Sequence, residues 1–355
     1  MAPSIGIGIR IGGNRGVAIA TPTGLVLVLI AGGIRLTWID VTGEDGYEIW
    51  VSINGGIHTL LNTVAANVVT YDDMTDYAGS TVSYEIRAYK GISYSDYSDE
   101  ATIVVWDSRA STLFVNMAAQ GETASDGLKS AMNTAILALK VNNVFDTQFD
   151  RLIVYRNIGR WSAKMNWIKD AQNATEVANG GTLTFTTKVG FNSDGVKSSI
   201  RQNYIPSSDG VLFKRDDACY LLKISGTIVN ATAHGCGSST TYVHFYQAGT
   251  PSNTLNSWNA EITPRVVGYN CTSRANNTTI SALRNASKTD TTVASVGLPD
   301  REMYSCGIND NNVIGYFTKT TEILEIEAQG KQLSQANFNT FQTIMDAFFT
   351  ALALL

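Results

Sequence analysis

The sequence predicts an all-β protein of more than one domain. Short apolar runs are separated at close intervals by turn residues, which is the pattern of many short strands. Glycine is frequent, with 31 residues, while charged residues make up only 16% of the chain. Its 355 residues are too many for one ordinary sandwich. Apolar residues reach 44%, enough to fill real cores. The net charge is −5. No basic stripe lies outside the N-terminus, so the clustered Lys and Arg that neutralise phosphates are missing and nucleic acid is not expected as a partner.

Residues 1–24 read as a separate extended segment. Ile5, Ile7, Ile9 and Ile11 alternate with Gly6, Gly8, Arg10 and Gly12, and period two puts the isoleucines on one face of a strand. A lone strand satisfies neither its face nor its edges. The segment is therefore either a disordered tail or a docking peptide that adds to another subunit's sheet. The N-terminus lacks the succession of basic, apolar and small residues of a secretory signal. The run Leu25–Ala31 is far shorter than a membrane span. The expectation is a soluble chain with no membrane insertion, which leaves by a route other than ordinary secretion if it works outside a cell.

Residues 25–106 carry seven strand-like runs: Leu25–Leu29, Ile34–Ile39, Gly46–Ile53, Thr59–Leu61, Asn67–Tyr71, Thr81–Tyr89 and Glu100–Trp106. Turn signals divide them, among them Gly32-Gly33, Asn54-Gly55-Gly56 and Lys90-Gly91. Seven short strands at this spacing predict an immunoglobulin-like sandwich. Several stretches resemble fibronectin type III domains. Leu36-Thr37-Trp38 is similar to the second-strand tryptophan of that family, and Gly46-Tyr47-Glu48-Ile49-Trp50 to its third strand. Val82 to Tyr89 looks like the sixth strand, with Tyr84 at the tyrosine corner, and Ser95 and Ser98 look like the serines before the last strand. The usual proline-rich lead-in is absent, with only Pro22 ahead of the module. The resemblance implies a spacer or binding scaffold.

Residues 107–140 read as a linker and a helix. Asp126 is its expected N-cap, and Leu128, Ala131, Met132, Ala135, Ile136 and Leu139 share one face. Residues 141–355 return to strand pattern, with runs at Arg151–Tyr155, Thr182–Thr187, Ala218–Val229, Thr241–Gln247, Val266–Tyr269, Asn312–Thr318 and Thr321–Ala328. A larger two-sheet sandwich fits. A closing helix over 333–352 has Ser334 as N-cap and Leu333 with Phe338 as hydrophobic staple. Its stripe of Phe338, Phe341, Ile344, Met345, Phe348, Phe349 and Leu352 either packs on the sandwich or serves self-association.

This larger module resembles a recurrent bacteriophage virion domain. The resemblance runs through the helix ending in Leu139-Lys140, the strand Asp150–Tyr155, the element Asn166-Trp167-Ile168-Lys169, Phe185-Thr186, Gly190-Phe191, Asp194-Gly195-Val196-Lys197-Ser198-Ser199, and the helix after Glu325-Ile326-Glu327. It implies a concanavalin-like jelly roll of the kind carried by head fibres, tail fibres and other surface proteins of phages of Bacteroidetes hosts. The N-terminal Ile-Gly repeat resembles leader segments of such proteins.

Chemistry-bearing residues are sparse. Cys219, Cys236, Cys271 and Cys306 form no CxxC pair. They are either buried free thiols or two disulfides in one of three connectivities. His58 falls in the small sandwich, and His234 and His244 flank a Gly-Cys-Gly loop that matches no common zinc spacing. No metal or other cofactor is expected. Glu322, Glu325 and Glu327 invite comparison with jelly-roll glycosidases, whose retaining members hold two carboxylates ~5 Å apart. Alternation predicts Glu325 and Glu327 on one strand face. The run Glu325 to Gly330 lacks the central Asp and final Glu of the glycosidase pattern, so no catalytic residue is assigned. Jelly rolls often bind glycans on an aromatic platform with Asn or Asp beside it, which makes sugar binding the expected ligand chemistry, with Trp258, Tyr269, Tyr304, Asn259, Asn270 and Asn309 as candidates.

The sequence thus predicts a non-enzymatic virion protein, a head or tail fibre or capsid decoration. It would dock on other virion proteins through residues 1–24, form a homo-oligomer such as a trimer, and hold a host-surface glycan. The alternatives are a jelly-roll glycan hydrolase or depolymerase, and a bacterial surface adhesin or carbohydrate-binding module.

Overall fold

A computed structural model describes residues 19–30, 32–228, 232–238, 241–247, 252–257, 265–310, 313–315 and 321–355. The Ile5–Ile11 segment lies outside the described residues. The chain divides into two compact units, 1–106 and 107–355.

The first unit is a two-sheet sandwich. Its strands are β1 (Thr23–Ile30), β2 (Gly33–Ile39), β3 (Gly46–Ile53), β4 (Thr59–Ala65), β5 (Thr70–Asp73), β6 (Ser80–Lys90), β7 (Ser93–Tyr94) and β8 (Ala101–Val105). One sheet has the order β1-β2-β5; the other runs β4-β3-β6-β7, with β8 also on β6. Thr23 and Gly24, expected in the N-terminal segment, belong to β1, where Thr23 pairs with Ile39. Period two decides which residues enter the core. Ile34, Leu36 and Trp38 of β2, Tyr47, Ile49 and Val51 of β3, and Val82, Tyr84, Ile86 and Ala88 of β6 are all buried there. The Tyr84 hydroxyl donates to the Asp73 carboxylate at 2.8 Å, and Tyr77 donates to the same oxygen at 2.9 Å. The chain between β7 and β8 is held by serines: Ser95 Oγ accepts from Ala88 N (2.9 Å) and Ser98 Oγ from Ile86 N (3.1 Å). Asn54 and Gly55 take the left-handed conformation that the Asn-Gly signal requires, at φ 53° and 72°.

The second unit has three layers, two sheets and a helical layer. The segment expected as a linker and one helix is two helices, α1 (Ser108–Ala119) where the linker was expected and α2 (Asp126–Val141) where the helix was. Asp107 caps α1, accepting from Arg109 N at 2.9 Å. Ser125 caps α2 in place of the expected Asp126, because its hydroxyl accepts from Leu128 N at 3.2 Å. Strands follow: β9 (Phe149–Val154), β10 (Thr175–Val177), β11 (Leu183–Thr186), β12 (Gly190–Ser193) and β13 (Ser199–Arg201). After a turn of helix, α3 (Pro206–Asp209), come β14 (Ala218–Gly226), β15 (Thr232–Ser238), β16 (Thr241–Gln247), β17 (Ser252–Ser257), β18 (Gly268–Arg274), β19 (Thr279–Arg284) and β20 (Ser287–Thr292). The chain closes with β21 (Tyr304–Ser305), β22 (Gly307–Asp310), β23 (Val313–Gly315), β24 (Glu322–Gly330) and α4 (Gln335–Ala353).

One sheet runs β11-β12-β24-β14-β18-β19-β20, with β9 on β24; the other runs β10-β13-β21-β15-β16-β17, with β22 on β15 and β23 on β22. Between the sheets lie Tyr155, Phe191, Tyr220, Phe245 and their neighbours. The opposite face of the first sheet meets α1, α2 and α4 through Leu113, Leu128, Leu152, Leu221, Ile326 and Phe341. Residues 107–140 are therefore part of this unit's core. The aromatic stripe of α4 is spent on that core: Phe338, Phe341, Met345, Phe348, Phe349 and Leu352 are buried. Each such burial is worth roughly 1.5–3 kcal/mol. All four cysteines are buried free thiols. No helix among the described residues is long and apolar enough to cross a membrane.

Candidate functional site

The carboxylates of β24 are distributed by a bulge. Lys223 of β14 pairs with Ile326 and Ile224 pairs with Leu324, so Glu325 is the extra residue. This breaks the alternation that would have set Glu325 and Glu327 on one face. Glu327 points between the sheets. Its Oε1 accepts from Tyr220 Oη and Gln329 Nε2, both at 2.9 Å, and its Oε2 from Gln202 Nε2 at 2.7 Å and from Ser305 Oγ. Gln329 passes the interaction on, since its Oε1 accepts from the buried Arg151 Nη1 at 3.2 Å. Glu325 turns to the helical layer, 3.3 Å from Arg156 Nη1 and 3.4 Å from Lys223 Nζ. There Lys223 also pairs with Asp346 of α4 at 3.0 Å.

Glu322 is tied to His234 Nε2 (2.8 Å) and Arg265 Nη1 (2.9 Å). Burial would raise this carboxyl, but the Arg265 charge and the His234 hydrogen bond outweigh it and lower it to about 2. His234 Nδ1 accepts from Cys306 N at 3.1 Å, which leaves Nε2 as the donor to Glu322. His234, Cys236 and His244 do not converge on one point. The β15–β16 register pairs His234 with Phe245 and Gly235 with His244, so His234 and Cys236 face the inter-sheet core while His244 faces away. Burial lowers the His244 imidazole to about 3, which keeps it neutral.

The aromatic and amide candidates for sugar binding separate in the same way. Trp258 and Asn259 lie outside the described residues. Tyr269 is buried against Phe338 and Phe341, with its hydroxyl on Asp346 at 2.8 Å. Asn270 is buried and braces its own loop, bonding Val266 N and Val266 O at 2.8 Å each. Neither offers a surface to a ligand.

Tyr304 and Asn309 do come together. Ser305 faces Glu327 inside the sandwich, so Tyr304 projects from the outer face of the second sheet. There it pairs across the strand with Arg201, whose Nε donates to Glu302 Oε2 at 2.6 Å. A cavity of about 310 Å³ opens at this point, lined by Ile205, Asp300, Arg301, Glu302, Tyr304, Asn309 and Ile314. Asn309 is 6% exposed, and its Nδ2 donates to Glu302 O at 3.0 Å. Its Oδ1 is buried without a hydrogen-bond partner, and so is Arg301 Nε. A buried polar atom left unpaired costs about 1–3 kcal/mol. Burial, then the Glu302 charge, raises the Tyr304 phenol, which stays an uncharged ring with a hydroxyl. The residues lining the cavity thus include an aromatic side chain, an amide, a guanidinium and two carboxylates, a mixed donor and acceptor set. Asp300, Arg301 and Glu302 were not singled out from sequence. Their signal was present: three consecutive charges just before Tyr304, in a chain only 16% charged.

No protein-family profile matches the chain, and no curated protein sequence matches it. Among solved structures, an Fn3-like protein from Clostridium thermocellum is 30% identical, over 24% of this chain and 92% of that one, with TM-score 0.22. An FN3 domain of human collagen XX is 18% identical over 24% of this chain and 90% of that one, with TM-score 0.21. Domain 4 of a GH43 extracellular arabinanase from Geobacillus stearothermophilus, solved with arabinotriose, is 13% identical over 55% of this chain and 98% of that one, with TM-score 0.39. The strand order places the first unit as a fibronectin type III-like domain, and the second is a two-sheet sandwich of jelly-roll type. The chain is a multi-domain all-β protein.

Proposed function

We propose that the protein is a structural component of a bacteriophage particle, a head or tail fibre or a capsid decoration, that takes part in particle assembly and holds a glycan of the host surface. The particle assignment rests on the resemblance of the second module to a recurrent virion domain and on the Ile5–Ile11 repeat, which reads as a docking strand. Other virion proteins are its partners through residues 1–24, and a fibre built from it is a homo-oligomer such as a trimer, in which avidity raises weak contacts. It works in the virion and is made in the host cytoplasm.

The single observation that carries glycan attachment is the cavity at Tyr304 and Asn309, with its unpaired buried amide oxygen. Binding is favoured over hydrolysis because Glu322, Glu325 and Glu327 are each engaged by donors or cations, and Glu325 and Glu327 lie on opposite faces of their sheet. The test is binding of the full chain to surface polysaccharides extracted from candidate hosts. Tyr304→Ala and Asn309→Ala each weaken retention at least about tenfold, about 1.4 kcal/mol, without change in chain length of the polysaccharide. Unaltered retention by both variants contradicts the site. Shortening of the polysaccharide by the wild type, lost in Glu325→Gln, contradicts the non-enzymatic reading.

A further inference from the structure

The first unit holds a cluster that the glycan reading does not use. Glu85 stands between the buried Tyr84 and Ile86 of β6, so it projects from the outer face of its sheet. Glu100 precedes β8, whose Ala101 pairs with Tyr84, and this brings it beside Glu85. His58 arrives from the turn before β4. That turn is fixed by Ser52 Oγ donating to Gly56 O at 2.7 Å and by Asn54 Oδ1 accepting from Thr81 N at 3.0 Å. The imidazole sits between the two acids, with Nδ1 3.9 Å from Glu85 Oε2 and Nε2 3.6 Å from Glu100 Oε2.

Two features distinguish this trio from an ordinary surface ion pair. Among the described residues, no Lys or Arg lies in ion-pair range of Glu85 or Glu100, and His58 is the imidazole beside them. His58 Nε2 is also shielded from solvent and makes no hydrogen bond. Two carboxylates with no Lys or Arg beside them concentrate negative charge on one small patch, the complement of a dication. One donor atom from each residue already lies within 4.8 Å of the other two. Tetrahedral ligands about 2.1 Å from a zinc ion stand about 3.4 Å apart. The glutamates are partly exposed, at 26% and 46%, and have room to turn by that amount. An imidazole in the set favours zinc and its transition-metal neighbours over calcium or magnesium, which prefer all-oxygen shells.

We infer that His58, Glu85 and Glu100 form a binding site for one divalent transition-metal ion of the zinc type, with a fourth position open to water. The ion ties the turn before β4 to β6 and β8 on the outer face of the first unit. The site is independent of the glycan cavity, which is built from second-unit residues, so either can fail without the other.

The test uses the full chain, stripped with chelator and titrated with zinc chloride by calorimetry at neutral pH, with cobalt(II) as a visible-light probe. The wild type binds one more equivalent than His58→Ala, and cobalt gives a tetrahedral absorption band that the variant lacks. Glu85→Gln and Glu100→Gln keep the side-chain shape and weaken that equivalent at least about tenfold, with circular dichroism confirming the fold. Zinc also raises the unfolding temperature of the wild type more than that of His58→Ala. Identical zinc binding in the wild type and all three variants overturns the inference, as does an absence of zinc binding by the folded wild type. Calcium binding at the same residues in preference to zinc overturns the assignment of the ion.

Discussion

Glu322 shows how one buried residue contributes to the acid behaviour of the second unit. Its carboxyl lies at about 2 in the folded state, against an ordinary value of 4.5. A carboxyl lowered by folding contributes stability above its unfolded value, and that stability is lost as pH falls through the folded one. The shift is worth on the order of 3 kcal/mol at neutral pH. Denaturant unfolding should therefore show the second unit weakening between about pH 5 and about pH 2, and Glu322→Gln should flatten that decline while lowering stability at neutral pH by about 3–5 kcal/mol. A variant with the wild-type acid profile contradicts the assignment. Glu327 obeys a different rule: its compensation comes mainly from the neutral donors Tyr220, Gln202 and Gln329. Apart from Gln329, two positions along the same strand, none of these partners was legible in the sequence, because they lie between 57 and 125 positions away. Tyr304 and Asn309 were legible as residue types, whereas the cavity that unites them depends on the short strands β21 and β22.

At the scale of elements, what could be read was whatever carried a strong period. Six of the seven runs of the first module lie on strands, while Asn67–Tyr71 enters β5 only at Thr70, and α4 begins after Ser334, with Ser334 Oγ accepting from Asn337 N at 3.1 Å. Helix α1 went unread although Ala110, Leu113 and Met117 are spaced for one face; intervening Ser, Thr and Val residues weaken its propensity. The hairpin β19–β20 was hidden because β20, Ser-Lys-Thr-Asp-Thr-Thr, is an edge strand with no apolar alternation. The bulge at Glu325 had no sequence mark at all. Two substitutions test the elements. Phe341→Ala, in the ring contact with Phe149 at 5.4 Å, should destabilise the second unit by about 3–5 kcal/mol in urea unfolding; a change near zero would mean α4 is not docked there. Gly226→Ala should also destabilise, since φ is +77° and an added Cβ would meet Thr321 O at 2.0 Å.

The whole molecule is two separately built bodies. The core of the first unit draws on residues between Ile19 and Val105, and the two cores of the second begin at Ala110. Calorimetry should resolve two transitions, and fragments cut between Trp106 and Asp107 should each refold; collapse of either fragment contradicts separate cores. Removal of residues 1–20 should keep two transitions, the first lowered only by the loss of Ile19 from its core, while abolishing incorporation into particles. The most direct test of the central claim is quantitative mass spectrometry of virus particles purified from the producing host, with surface labelling of intact particles. The account predicts this chain in multiple copies per particle, labelled on the second unit. Its absence from particles, with the purified chain behaving as a lone monomer that turns over a substrate, would contradict it.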